Sequence, residues 1–155
     1  MTEMATELPF LDTSYLARLY LEDAGFDVVR EFVGSAPAVA ASWHAQAELI
    51  AALHRAYRER RLGQGVFQAA VDQFLSDSKD GIFRWLPLTE GVEHRLAQVF
   101  RDAPASVFLR AADALHLACA AEHGFTEVYS NDRQFLAAAP LFGLRGVNVI
   151  GEDGP

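Results

Sequence analysis

Short continuous apolar runs alternate with segments of helical period along the whole chain. Leu8 to Leu11 is the first run, and it stops at Asp12. Ala38 to Ala41, Ile82 to Leu86, Glu127 to Ser130 and Val147 to Ile150 are the others. Each has the length of a strand rather than a helix, and an unbroken apolar strand is one buried on both faces. Between the runs, apolar positions recur at three and four residues. Thr13 or Ser14 can cap a first helix to about Glu22, with Leu16, Leu19 and Tyr20 on its apolar face. Beyond Gly25 a second helix spans Phe26 to Val33, with Gly34 closing it. Ser42 is placed to cap a long helix to about Arg61. Val66 to Leu75 carries the next, and Thr89 caps one that reaches Arg101. Pro104 precedes an apolar helix from about Arg110 to His123, which Gly124 terminates. Asn131 or Asp132 opens a last short helix that Pro140 limits.

This alternation predicts an α/β fold in three layers, a mainly parallel five-stranded sheet with helices on both faces. No repeat, low-complexity tract or internal linker interrupts it. Residues 8–150 are therefore read as one domain, with flexible termini at 1–7 and 151–155. A chain of 155 residues, 51% of them hydrophobic, can bury a single core of that kind. No apolar run approaches the ~18 residues that a membrane span requires. The start, Met1 to Glu7, lacks the basic region of a secretory signal. A single cysteine, Cys119, excludes an internal disulfide and a cysteine-based zinc site. These features predict a cytoplasmic protein without membrane association.

Charge narrows the partners. Thirteen basic and 21 acidic side chains leave a formal net charge of −8, and Lys79 is the only lysine. Broad, nonspecific grip on nucleic acid feeds on basic residues, so it is disfavoured here. A nuclease remains compatible, because metal ions and local arginines can cover charge at a site.

Four acids stand where folding alone rarely wants them. Asp12 ends the first strand, Glu48 lies on the long helix, Asp113 opens an otherwise apolar helix, and Asp132 follows the fourth strand. In parallel α/β sheets ligands bind beyond the carboxyl ends of strands, where Asp12 and Asp132 fall. A desolvated carboxylate costs several kcal/mol unless it is paired or holds a metal. Gathered carboxylates repel one another, and a hard, oxygen-seeking divalent cation removes that repulsion. Each acid also has an ordinary reading: Asp12 and Asp132 as helix caps, Glu48 as a solvated helix-face residue, Asp113 as a charge favoured at a helix N-terminus. His116, three residues after Asp113, shares its helix face and reads as a metal-ligand partner or as a hydrogen-bonded core histidine. Arg55, Arg58, Arg60 and Arg61 read as helix-end charges or as a basic patch for RNA. Leu19, Tyr20, Phe26, Val29 and Phe32 read as core or as a groove for a partner helix. No phosphate-binding glycine loop and no Gly-x-Ser-x-Gly elbow occurs.

Taken jointly, the four contexts resemble the PIN-domain nucleases, in particular the small VapC-type toxins of type II toxin–antitoxin pairs. The motifs are Asp12-Thr13-Ser14 after the first strand, Glu48-Leu49 on the long helix, Asp113-Ala114-Leu115-His116-Leu117-Ala118, and Ser130 with Asp132 and Phe135. The resemblance spans about Leu8 to Ile150. It implies a PIN-like sandwich with the first strand central and the acids gathered at one end. It implies an endoribonuclease using Mg²⁺ or Mn²⁺, with Asp12, Glu48, Asp113 and Asp132 as catalytic metal ligands. Ser14 and Ser130 would orient carboxylates or water, and Arg133 would contact RNA or brace Asp132. A homodimer and a small cognate antitoxin are the implied partners. The alternative is a catalytically weak PIN-like module that binds or regulates. A receiver-like signalling domain fits poorly, since Asp12 has no adjacent acid and Lys79 precedes the third strand. A flap-type DNA nuclease would carry more acids and more helices.

Overall fold

The computed structural model describes residues 8–151. The flexible ends expected at 1–7 and 151–155 fall, Gly151 apart, outside the described residues. The helices are α1 (Thr13–Ala17), α2 (Phe26–Gly34), α3 (Ala45–Arg58), α4 (Gln64–Lys79), α5 (Glu90–Asp102), α6 (Ala111–Glu122) and α7 (Arg133–Ala138), with a 3₁₀ turn at Ala139–Phe142. The strands are β1 (Val39–Ser42), β2 (Phe83–Leu86), β3 (Glu127–Tyr129) and β4 (Arg145–Val147). No helix among the described residues is long and apolar enough to cross a membrane.

The strands form two parallel pairs, β1 with β2 and β3 with β4. The segment Phe10–Leu11 joins them. Leu11 N donates to Ala40 O (2.9 Å) and Ala40 N to Pro9 O (2.9 Å) on one side. On the other, Tyr129 N donates to Phe10 O (2.9 Å) and Asp12 N to Tyr129 O (3.1 Å). The first apolar run is thus the central rung of a parallel array ordered β2, β1, Phe10–Leu11, β3, β4, although it pairs through single bridges.

Residues of alternate parity feed two cores, because successive side chains in a strand point to opposite faces. Phe10, Ala40 and Val128 face α5, α6 and α7, where Val92, Leu117, Ala118 and Phe135 meet them. Leu11, Val39, Ala41 and Phe83 face α1 to α4, against Leu16, Val29, Leu49, Leu53 and Phe74. Buried helical residues close both faces, and three layers result. Cys119 lies inside the first core, and burial pushes its thiol up to about 12, so it packs as a small apolar residue.

Several expectations are corrected. The first helix ends at Ala17 rather than near Glu22, and Asp12, not Thr13 or Ser14, caps it. Ser42 is the last residue of β1 and caps nothing; α3 starts after His44 without a side-chain cap. Gly34 lies within α2 and Ser35 ends the helix. The last strand lies at Arg145–Val147 instead of Val147 to Ile150. Backbone donors explain this last shift. Val149 N donates to Tyr15 Oη (2.7 Å) and Ile150 N to Asn148 Oδ1 (3.1 Å), so neither is left for a ladder. Val149 and Ile150 instead pack back on the second core. Gly25, at φ 83°, makes the turn into α2 that meets Ile150.

Of the residues in or beside α1 and α2 read as core or as a partner groove, only Val29 is closed off, while Leu19, Tyr20, Phe26 and Phe32 keep partial exposure. Val29 is fully buried, and Phe32 lies on Tyr129 with ring centres 4.8 Å apart. Tyr20 sits edge-on to Phe74 and donates to Asp77 Oδ2 (2.6 Å). Two of the four arginines ending α3 enter the chain's own ion pairs, Arg55 with Glu59 (3.1 Å) and Arg61 with Asp23 (2.7 Å).

Tyr15 ties the C-terminal segment to α1: its hydroxyl accepts from Val149 N and donates to Asn148 Oδ1 (2.7 Å). Tyr15→Phe orphans that amide. We expect a loss of about 1–3 kcal/mol in urea denaturation, with faster amide exchange at Val149. An unchanged midpoint would show that the segment is held by packing alone.

Candidate active site

The cavity at the carboxyl edge of the sheet measures ≈ 270 Å³ and is lined by Asp12, Thr13, Ser14, Glu48, Arg110, Ala112, Asp113, His116 and Asp132. All four singled-out acids reach it, each from a different element. The central segment delivers Asp12, the first turn of α3 delivers Glu48, the first turn of α6 delivers Asp113, and the cap of α7 delivers Asp132.

Asp12 is almost inaccessible, at 5% exposure. Its Oδ1 accepts from Ser14 Oγ (2.7 Å) and Tyr15 N (3.2 Å), and its Oδ2 from Ser130 Oγ (2.6 Å). The capping reading of Asp12 holds, and the same carboxylate also lines the cavity. Burial pushes its pKa up, and the hydroxyl bonds from Ser130 and Ser14 offset this only in part. Ser14 and Ser130 are themselves pinned by Asn131 N (3.2 Å) and Asp132 N (2.9 Å).

Glu48 is compensated differently. Its Oε1 meets His116 Nε2 at 2.5 Å and accepts from Thr13 Oγ1 at 2.7 Å. Burial works to raise its pKa, but the His116 bond and charge, with Thr13 and His44, outweigh that and hold it below the usual carboxylate range. His116 is buried at 3% exposure and uses its other nitrogen, Nδ1, toward Ser42 Oγ (2.7 Å). It does not pair with Asp113. It is bonded within the core, as one reading of the sequence had it, and at the same time it touches a candidate site residue.

Asp113 and Asp132 share one cation. Arg110 reaches Asp113 Oδ2 (2.7 Å) and Asp132 Oδ2 (2.5 Å) through its Nη2, with a further bond from Nε to Asp113 (2.8 Å). Burial acts to raise the Asp132 pKa, yet the Arg110 bond and the amides of Phe135 and Gln134 bring it below its ordinary value. Arg133 is exposed, does not line the cavity, and makes no ion pair among the described residues. The guanidinium that braces Asp132 is Arg110.

The donors facing the cavity are mostly carboxylate and hydroxyl oxygens, and one acid, Asp12, is buried with no cationic side chain bonded to it. That set fits a hard divalent cation, which favours oxygen ligands. Three neighbours of the acids escaped the sequence reading: Arg110, Thr13 through its bond to Glu48, and His44. A signal existed for two of them. Arg110 lies three residues before Asp113 and His44 four before Glu48, one helical turn in each case.

Fold and cavity define a class, the parallel α/β sandwich that gathers acidic side chains at the carboxyl edge of its sheet. A sequence profile of the PIN domain matches residues 10–140, and the chain belongs to that family. Among solved structures, the chain is similar to VapC20 of Mycobacterium tuberculosis, described as a sarcin–ricin loop cleaving toxin. The two share 26% identity over 83% of this chain and 93% of the other, with a TM-score of 0.61. FitAcB from Neisseria gonorrhoeae follows at 22% identity, 92% and 98% coverage, and a TM-score of 0.70. VapBC2 from Rickettsia felis, bound to a DNA fragment from its promoter, shares 13% over 91% and 98%, with a TM-score of 0.65. The last two likenesses speak for the fold. A comparison of the sequence with curated proteins gives no match.

The raised pKa of Asp12 has a sign that can be tested. Without a bound cation the folded state holds the Asp12 proton more tightly than the unfolded chain. That stabilisation is complete below the unfolded value of about 3.9 and is lost as pH rises through the higher folded value. Above the unfolded value the metal-free fold therefore bears the cost of a buried acid whose anionic form desolvation disfavours. Asp12→Asn removes it while keeping the side chain's shape, so the Tm of the metal-free protein at pH 7 should rise. The difference should shrink toward pH 4. A lower Tm for the variant at pH 7 would contradict this account.

Proposed function

We propose that this chain is a Mg²⁺- or Mn²⁺-dependent endoribonuclease, the toxin of a toxin–antitoxin pair. The observation that carries the reading is the convergence of Asp12, Glu48, Asp113 and Asp132, from four separate elements, on one cavity. Membership of the PIN family and the likeness to a toxin that cleaves the sarcin–ricin loop support RNA as the substrate. A cognate antitoxin, a homodimeric state and a cytoplasmic location belong to the same reading.

Asp12, Glu48 and Asp113 would hold the cation, with Asp132 direct or through water. A bound Mg²⁺ or Mn²⁺ would lower the pKa of a water and stabilise charge on the scissile phosphate. The chain's own groups do the rest. Ser14 and Ser130 fix both oxygens of Asp12, and such supporting bonds tune the ligand they hold. His116 and Thr13 hold Glu48 through Oε1, while Oε2 takes no hydrogen bond among the described residues. Arg110 occupies the acids in the free protein and is the nearest guanidinium to a phosphate entering the cavity. Its planar fork suits that exchange of carboxylate for phosphate.

The test is cleavage of a defined panel of single-stranded and looped RNAs at matched Mg²⁺ or Mn²⁺. EDTA should abolish activity. Asp12→Asn and Asp113→Asn should each remove nearly all of it while the circular dichroism spectrum stays native. His116→Gln should slow cleavage without ending it, because Thr13 still holds Glu48. Activity that survives in both Asn variants, or in EDTA, would overturn the assignment. Binding of RNA without cleavage under either cation would leave the chain a PIN-like binding module.

A further inference from the structure

Behind the carboxylate cavity lies a group of donors of different chemistry. His44, Glu48 and His116 each place one ligand atom so that all lie within 4.8 Å of one another. Glu48 Oε1 is 2.5 Å from His116 Nε2 and 3.9 Å from His44 Nε2. The two imidazole rings lie 4.1 Å apart, tilted by 32°. Both ring nitrogens of His44 are buried, and neither has a hydrogen-bond partner. A backbone group of Ala112 approaches the ring, but no bond of ordinary geometry forms. A buried, unpaired imidazole is costly unless something else occupies its lone pair.

We infer that His44, Glu48 and His116 form a site for a borderline transition cation of the Zn²⁺ class, distinct in ligand chemistry from the oxygen-lined cavity and joined to it by Glu48. Two imidazoles and a carboxylate are a common ligand set for Zn²⁺ and its neighbours, whereas Mg²⁺ prefers oxygen. The supporting contact is also in place. Ser42 Oγ sits 2.7 Å from His116 Nδ1, so Nε2, now bonded to Glu48, is the nitrogen a metal would take, and a ligating histidine almost always has such a partner on its other nitrogen. Zn²⁺–ligand bonds of about 2.0–2.2 Å require only small side-chain adjustments from the present positions. Glu48 and His116 both line the cavity. Binding of the cation itself is independent of the ribonuclease reading. Its consequence rests on that reading: a cation here draws Glu48 away from the oxygen site, so Zn²⁺ should inhibit Mg²⁺-supported cleavage.

The experiment uses the full chain, stripped with a chelator and titrated with Zn²⁺ by calorimetry and with Co²⁺ as a spectroscopic probe. One equivalent should bind, with the visible absorption of a low-coordinate, nitrogen-bound Co²⁺. His44→Gln should weaken Zn²⁺ at least about ten-fold, as expected for removal of a direct ligand when even supporting contacts are worth ~10–100-fold. Asp113→Asn, which should end RNA cleavage, should leave Zn²⁺ affinity within about two-fold, since changes outside the shared ligand set add independently. Equal Zn²⁺ affinity in wild type and His44→Gln would overturn the assignment. So would parallel loss in Asp113→Asn, which would put the ion in the oxygen site. Should His44→Gln fail to fold, X-ray absorption of the wild-type Co²⁺ complex decides: two imidazole nitrogens support the site, and an all-oxygen shell refutes it. An RNase-inactive wild type that still binds Zn²⁺ with histidine ligation would sink the ribonuclease reading and leave this one standing.

Discussion

Everything in the molecule depends on two residues bonded on both sides. Among the described residues, Phe10 and Leu11, with Pro9 O and Asp12 N beside them, make the bridges that link the β1–β2 pair to the β3–β4 pair. Their side chains point to opposite faces and enter separate cores, so the same two residues join the sheet laterally and fasten its two helical layers. The next residue is Asp12. Its amide is spent on Tyr129 O and its carbonyl receives Leu16 N. The carboxylate therefore has no freedom to leave the centre of the sheet, and the chain must accommodate a buried charge there.

The accommodation differs from acid to acid, and the differences rank them. Glu48 has an imidazole and a hydroxyl on one oxygen. Asp113 and Asp132 share the Arg110 guanidinium. Asp12 has hydroxyls and an amide, none of which carries charge. Hydroxyl bonds return only part of the desolvation penalty of an ionised group. Asp12 is therefore the acid for which an external cation contributes most, and it is also the most enclosed. A cation bound by so rigid a group would be fixed with respect to the sheet rather than to a loop, the arrangement in which positioning aids chemistry most.

The layered fold was legible because apolar runs of strand length and helical periods alternate without interruption. The acids were legible because three stand at element boundaries or in an apolar helix. What escaped is instructive. Val149 and Ile150 look like strand residues, but their amides go to Tyr15 and Asn148, partners far away or of the wrong kind for any periodicity to show. Ser42 looks like a helix cap because a serine precedes a helix. Tertiary structure claims it for β1 and gives its hydroxyl to His116, 74 residues away. Arg110 was read as the start of a helix, yet its partner Asp132 lies 22 residues on, beyond the reach of any local pattern. Local signals locate charged residues; only packing decides which charge meets which.

The net charge of −8 then acquires a structural meaning. Many of the arginines that would offset it are tied to acids of the same chain: Arg61 to Asp23, Arg95 to Glu122, Arg55 to Glu59 and Arg145 to Glu127. Such exposed pairs add little stability, but they cancel the positive field at close range. Less free positive charge is left to hold a polyanion by counterion release, the main source of nonspecific affinity. On the nuclease reading proposed above, a substrate phosphate would meet positive charge at the cavity itself, from Arg110 and from any cation the carboxylates bind. Recognition and chemistry would then be confined to one place, and a net negative chain would be compatible with a site acting on one accessible phosphodiester.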